Sequence, residues 1–197
     1  MRLKSVSSKQ LTRVMDITFR EATAADSPPV AKAHVRSWQE SFAGIVPQAF
    51  LDKMSIDQRA KAFEKRFSDD SYKMYVAEVP GQGIVGFADF GEPRERIGSY
   101  EGELYAIYLL QEFQRKGIGE RLFRLGVEFL ISRGKRSMYL LALEVSPYRK
   151  FYEKLGGQVK GKKSIVIEGL IYDEVVYGWD RLDEFEGSKT GLKRVMS

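Results

Sequence analysis

The chain has 197 residues, 43% hydrophobic and 30% charged, the profile of an ordinary soluble globular protein long enough for one sizeable core. It has no cysteine and one histidine, which excludes thiol nucleophiles, disulfides, thiolate metal sites and a histidine-rich zinc centre. The net charge of +5 belongs to the ends: residues 1–13 carry +4 and residues 188–197 carry +3, so the body between them carries −2 and lacks the basic footprint of a nucleic-acid binder.

No apolar run approaches 18 residues, so no membrane span is expected. Residues 1–13 are basic and Ser-rich without an apolar segment, and read as a disordered leader and not a signal peptide. The domain is expected over 14–182, with 183–197 as a tail and the cytoplasm as the default compartment.

Asp16 to Arg20 alternates and reads as a first strand. Asp26 followed by Pro28 and Pro29 is a helix start, a cap residue with proline in the first turn, and the helix runs through His34, Trp38 and Ser41 until Gly44 and Pro47 break it. A short helical turn holds Phe50 and Leu51. Ser55-Ile-Asp-Gln has capping-box spacing and opens a helix with Ala60, Phe63 and Phe67 on one side. Tyr72–Val79 and Ile84–Phe90, joined by Pro-Gly-Gln-Gly, read as a hairpin, and Glu92–Gly102 as a charged loop.

Glu103–Leu109 is a β-former run apolar on both faces, as in a strand covered on both sides. It leads into Gln114, Arg115, Lys116, Gly117 and Gly119, then into an amphipathic helix marked by Ile118, Leu122, Leu125 and Phe129. A strand, a glycine-bearing basic turn and a helix make an anion site, because the first helical amides lack internal acceptors and the helix dipole is positive there. Gly117 and Gly119 leave that backbone uncovered, and Arg115 and Lys116 add charge at the rim.

Met138–Leu143 is a continuous apolar run reached through that helix, so it should lie parallel to the preceding strand. Ser146 and Pro147 start a helix over Tyr148–Leu155, ended by Gly156-Gly157, and strands at Val159–Ile167 and Ile171–Trp179 close the domain.

The string Gln114-x-x-Gly117-x-Gly119 after a strand, with Phe151-Tyr-Glu-Lys-Leu-Gly156 downstream and Glu174-Val-Val-Tyr-Gly-Trp179 at the end, resembles the Gcn5-related N-acetyltransferases (GNAT) over about Asp16–Trp179. The resemblance implies an α/β (α+β) single domain. Its central mixed sheet would be mostly antiparallel, with splayed parallel fourth and fifth strands and helices on both faces. It implies acetyl-CoA as cofactor, with Gln114, Arg115, Lys116, Gly117, Ile118, Gly119 and Glu120 around the pyrophosphate and Ile107 and Leu109 along the pantetheine and thioester. Ser146 stands where the family often has an Asn that contacts the cofactor. Departures are Arg115 at a frequent Gly, Gln111 at a frequent Pro and Gly157 at a frequent Phe.

The same resemblance implies Tyr152 as the acid that protonates the leaving thiolate, since a phenol stays protonated at neutral pH. It implies Glu103 as a base for the incoming amine. Trp38, Phe42 and Tyr105 are candidate walls of the acceptor pocket. His34 reads as a satisfied helix histidine, and Lys160, Lys162 and Lys163 as a solvated strand edge. The implied reaction is direct acetyl transfer in a ternary complex to a primary amine of a small molecule, peptide or protein. No nucleic-acid or membrane partner is implied, and a homodimer stays open. The alternative is a catalytically silent acyl-CoA-binding regulatory module.

Overall fold

The structure is a computed structural model that describes residues 16–185. The basic leader expected over residues 1–13 lies outside the described residues, as does residue 186 onward. Seven strands, β1 (Thr18–Glu21), β2 (Lys73–Val79), β3 (Gly83–Gly91), β4 (Gly102–Leu109), β5 (Met138–Leu143), β6 (Gln158–Ile167) and β7 (Leu170–Trp179), form one sheet in the order β1-β2-β3-β4-β5-β7-β6. Every neighbouring pair is antiparallel except β4 and β5. The parallel pair is the one joined through a helix, as the chain order requires.

Helices α1 (Ser27–Phe42), α2 (Gln48–Lys53) and α3 (Ile56–Arg66) precede β2; α4 (Ile118–Ser132) links β4 to β5, and α5 (Arg149–Lys154) links β5 to β6. The sheet separates two cores. Met74 and Val76 of β2 join α1 and α3 on one face, while Ala77 and Val79 join α4 on the other. The buried stripe of α4 is Ile118, Leu122, Gly126 and Leu130 together with Phe123 and Val127, whereas Leu125 is only half-buried. Each fully buried Leu or Phe there stabilises the fold by roughly 2 kcal/mol. Gly126 admits the Phe90 ring, since a Cβ at this position would fall 1.9 Å from a ring carbon.

Two local expectations change. Asp26 stands at the N-cap position of α1 but does not cap it: its carboxylate accepts two 2.8 Å bonds from Arg20 and a third from the Thr23 amide. The folded body also runs past residue 182, since Leu182 is buried and the Phe185 ring lies 5.4 Å from Phe123.

The feature that shapes the site is on β4. Phe90 pairs with Leu104 and Asp89 with Ala106, leaving Tyr105 as the extra residue of a β-bulge. The bulge re-aims the strand, so that Leu104, Ile107 and Leu109 face the α4 core while Tyr105, Ala106 and Tyr108 face α1 and α3.

Candidate active site

β4 and β5 share only two rungs, Gly102 with Met138 and Glu103 with Tyr139. Beyond them the strands diverge, and a cleft of about 720 Å³ opens between residues 104–109 of β4 and 140–143 of β5. Residues 105–109 are therefore only half-buried, where the sequence suggested a strand covered on both sides. Ile107 and Leu109 line this cleft.

At its mouth lies the loop into α4. Arg115 (φ 60°) and Gly117 (φ 79°) both adopt left-handed backbone, a conformation that costs Arg of the order of 1–2 kcal/mol and glycine almost nothing. Among the described residues the main-chain N–H groups of 115–120 meet no acceptor, whereas Arg121 N–H already bonds to Gly117 O. Arg115, Gly117, Gly119 and Glu120 line the cleft. Ile118 is not among the lining residues, and its side chain is buried in the α4 core. Lys116 is not among the lining residues and sits over the Phe113 ring, 5.4 Å from its centroid. The Glu120 carboxylate is held by Arg124 at 2.7 Å.

Gln114 also lines the cleft. Its side-chain amide donates to Leu109 O (3.1 Å) and to the Tyr148 hydroxyl (3.4 Å), tying the loop to the end of β4. Tyr148 in turn accepts from Ser41 Oγ on α1 (3.2 Å). Gly119 is small for packing, since a Cβ there would lie 3.3 Å from the Phe151 ring.

Ser146, Tyr148, Phe151 and Tyr152 form the α5 wall. Ser146 Oγ accepts from the Tyr148 amide at 3.3 Å. The Tyr152 ring packs on Tyr177 with centroids 5.6 Å apart, and its hydroxyl has no hydrogen-bond partner among the described residues. Burial, and then the neighbouring Tyr177, push its pKa up, so the phenol is protonated at neutral pH.

On the α1 side, Trp38, Phe42 and Tyr105 line the cleft as the sequence suggested. Trp38 and Phe42 rings lie 4.6 Å apart. Glu103 departs from its expected role. It is fully buried and absent from the cleft wall; its carboxylate accepts from the Arg94 amide (2.8 Å), from Arg94 Nε (2.9 Å) and Nη2, and from the Tyr139 hydroxyl (2.9 Å). A carboxylate with its lone pairs so occupied is not a free base, and the expected role of base does not fit Glu103. His34 is likewise not satisfied: it is boxed by Tyr108, Phe63 and Phe87, and its Nδ1 has no partner among the described residues. Burial, followed by the charges of Arg59 and Arg66, pushes its pKa down to about 3.

Among the lining residues that sequence reasoning did not single out are Arg94, Tyr108, Tyr148, Lys154 and Glu174. Arg94 sits in a charged loop without periodicity. Glu174 follows Asp173 and precedes Val175-Val176 without alternation, and only the fold brings it to the cleft.

A sheet forked between two parallel strands, with a lip of open amides beside the fork, is the arrangement that the resemblance to the N-acetyltransferases implied. Residues 33–157 match the acetyltransferase (GNAT) family model. The chain is 36% identical over 179 residues to the uncharacterized N-acetyltransferase YuaI of Bacillus subtilis, covering 90% of this chain and 99% of that protein. In fold it is similar to the PaiA N-acetyltransferase of Thermoplasma acidophilum solved with coenzyme A (TM-score 0.66, 19% identity, 84% of this chain and 99% of that one). It is also similar to yncA of Salmonella typhimurium, a putative acetyltransferase solved with acetyl-CoA (TM-score 0.63, 22% identity, 85% and 95%). The chain belongs to the GNAT family of acetyltransferases.

Proposed function

We propose that the protein transfers the acetyl group of acetyl-CoA to a primary amine of a small molecule or peptide, directly and within a ternary complex. One observation carries this reading: the run of N–H groups from Arg115 to Glu120 without protein acceptors, beside two β-edges that face each other unpaired. Converging amides at a helix N-terminus suit a diphosphate. An unpaired strand edge suits the amide-bearing arm that follows it. Acetyl-CoA supplies an activated thioester; the remaining chemistry belongs to the chain.

Main-chain N–H groups on the open edge of β4 near Ile107 donate to the acetyl oxygen as charge develops on it. The amine attacks as the neutral base, its ammonium proton having passed to solvent. As the C–N bond forms and the C–S bond breaks, Tyr152, protonated and without a hydroxyl partner among the described residues, gives its proton to the departing sulfur and recovers one from the acylated nitrogen. Arg115, Gly117, Ile118, Gly119 and Glu120 hold the pyrophosphate through their amides, with Gln114 bracing the loop and Ser146 at the side. Trp38, Phe42 and Tyr105 receive the acceptor. The absence of cysteine removes a thioester-linked enzyme from the route.

Titration calorimetry with acetyl-CoA, followed by a thiol-release assay across an amine panel, tests the reading. Saturable binding with amine-dependent CoA release supports it. Binding without release from any amine identifies the silent regulatory module instead.

A further inference from the structure

The cleft carries one carboxylate, Glu174, that no cation among the described residues pairs with. Its walls are apolar and aromatic: Trp38, Phe42, Tyr105, Leu143, Ile165 and Ile167. Five charged side chains interrupt them: Arg115, Glu120 and Lys154, and Arg94 and Glu174. Arg94 is neutralised by Glu103, which it binds through its amide and its guanidinium. Lys163, the register partner of Glu174 on β6, is turned to Glu95 and paired with it. Glu174 itself has neither an ion pair nor a hydrogen bond among the described residues. It is half-buried, and desolvation raises its pKa; Lys163 and Arg94 act against that rise, while Glu95 and Glu103 add to it.

We propose that Glu174 is the binding partner of the acceptor's ammonium group, and that the acceptor is a singly cationic amine on an apolar aryl or alkyl body. This rests on the acetyltransferase reading above and narrows it. A partly desolvated carboxylate without a partner among the described residues is an unfavourable arrangement, and an incoming ammonium relieves it; the nitrogen then passes one proton to solvent and attacks the thioester as the free amine. Its surroundings set the rest of the ligand: rings and branched aliphatic chains reward an apolar body. A polyamine would place its second ammonium against those walls or beside Arg94. An anionic acceptor would meet Glu174 as a like charge.

The test compares 2-phenylethylamine, n-hexylamine, spermidine and L-glutamate as acceptors at fixed acetyl-CoA, in the wild type and in Glu174→Gln. The two monoamines should give the highest kcat/KM. Glu174→Gln should raise their KM by about ten- to a hundred-fold, the size of a charge-assisted hydrogen bond, and leave acetyl-CoA affinity unchanged. Inhibition by benzyltrimethylammonium, a cation that cannot be acetylated, should weaken in parallel, and Glu174→Asp should recover part of the loss.

An unchanged KM in Glu174→Gln, with CoA still released, overturns the role of Glu174 and leaves acetyl transfer standing. Spermidine or glutamate outperforming the monoamines overturns the acceptor class. A parallel loss of acetyl-CoA affinity overturns the assignment to the acceptor side. Acetyl-CoA binding without CoA release from any amine overturns the inference and the acetyltransferase reading together.

Discussion

Glu103 and Tyr139 face each other across the last paired rung of β4 and β5, and the Tyr139 hydroxyl lies 2.9 Å from Glu103 Oε2. Arg94 closes the same cluster from the loop before β4. The buried carboxylate is thus a pin at the point where the sheet forks. Removing its cation leaves an ionised group in a dry site, which costs more than neutralising it. Arg94→Met should therefore destabilise the protein by about 3 kcal/mol and Glu103→Gln by about 1–2 kcal/mol, read from urea midpoints. With acetyl-CoA and an active amine, Glu103→Gln should show no selective loss of kcat at low pH. A loss confined to low pH would restore the role of a base.

Gly117 has φ 79° and nothing within 4 Å of where a Cβ would stand. Gly117→Asp thus introduces no clash; it adds backbone strain of about 1 kcal/mol and a negative charge amid the open amides. Calorimetry should find acetyl-CoA binding lost while the circular dichroism spectrum is kept. Wild-type affinity in this variant would remove the loop from the donor site.

Tyr152→Phe keeps the ring against Tyr177 and deletes only a hydroxyl that has no protein partner. Turnover should fall by about 10²-fold, the usual contribution of a positioned acid. Acetyl-CoA affinity and the melting temperature should be little changed. A wild-type rate would return Tyr152 to a packing role and make Tyr148 the next phenol to test.

Two buried groups on the α1–α3 face give opposite responses to acid. His34 is held neutral, with its pKa pushed down to about 3 from the ordinary 6.5, so its contribution to stability is present above pH 6.5 and lost as the pH falls. Asp89 receives Arg66 (2.9 Å) and Tyr72 (3.1 Å) on Oδ2 while Oδ1 has no partner. Burial outweighs Arg66 there and pushes the pKa up to about 6 from 3.8; its contribution is present below pH 3.8 and lost as the pH rises toward 6. Each slope is about 1.4 kcal/mol per pH unit, so between pH 4 and 6 they nearly cancel. His34→Phe should gain stability on acidification over that window and Asp89→Asn should lose it. Parallel urea-midpoint curves for the two variants and the wild type would rule this out.

The strand–loop–helix run from Glu103 to Ser132 was legible because its signals are local. Apolar residues set the strand, glycine permits the left-handed turn at 117, and the buried stripe recurs along α4. The parallel placement of β5 followed from handedness alone. The failures are all of partnership. Glu103 reads as a strand-end carboxylate until the loop bearing Arg94 folds over it, and His34 reads as an ordinary helix residue until Tyr108 and Phe63 surround it. Glu174 lies 80 residues from Arg94, and nothing in its strand distinguishes it from a residue facing water. The Tyr105 bulge was equally silent, because an extra residue shows itself only against the register of the neighbouring strand.

Two rungs join the four-stranded leaf β1–β4 to the three-stranded leaf β5–β7–β6. Within the sheet this is the shortest seam, and the donor is proposed to lie along it. A molecule bound there acts as mortar between the leaves. Acetyl-CoA should therefore raise the melting temperature by mass action, and amide exchange at Leu104–Leu109 and Leu140–Leu143 should slow together on its addition.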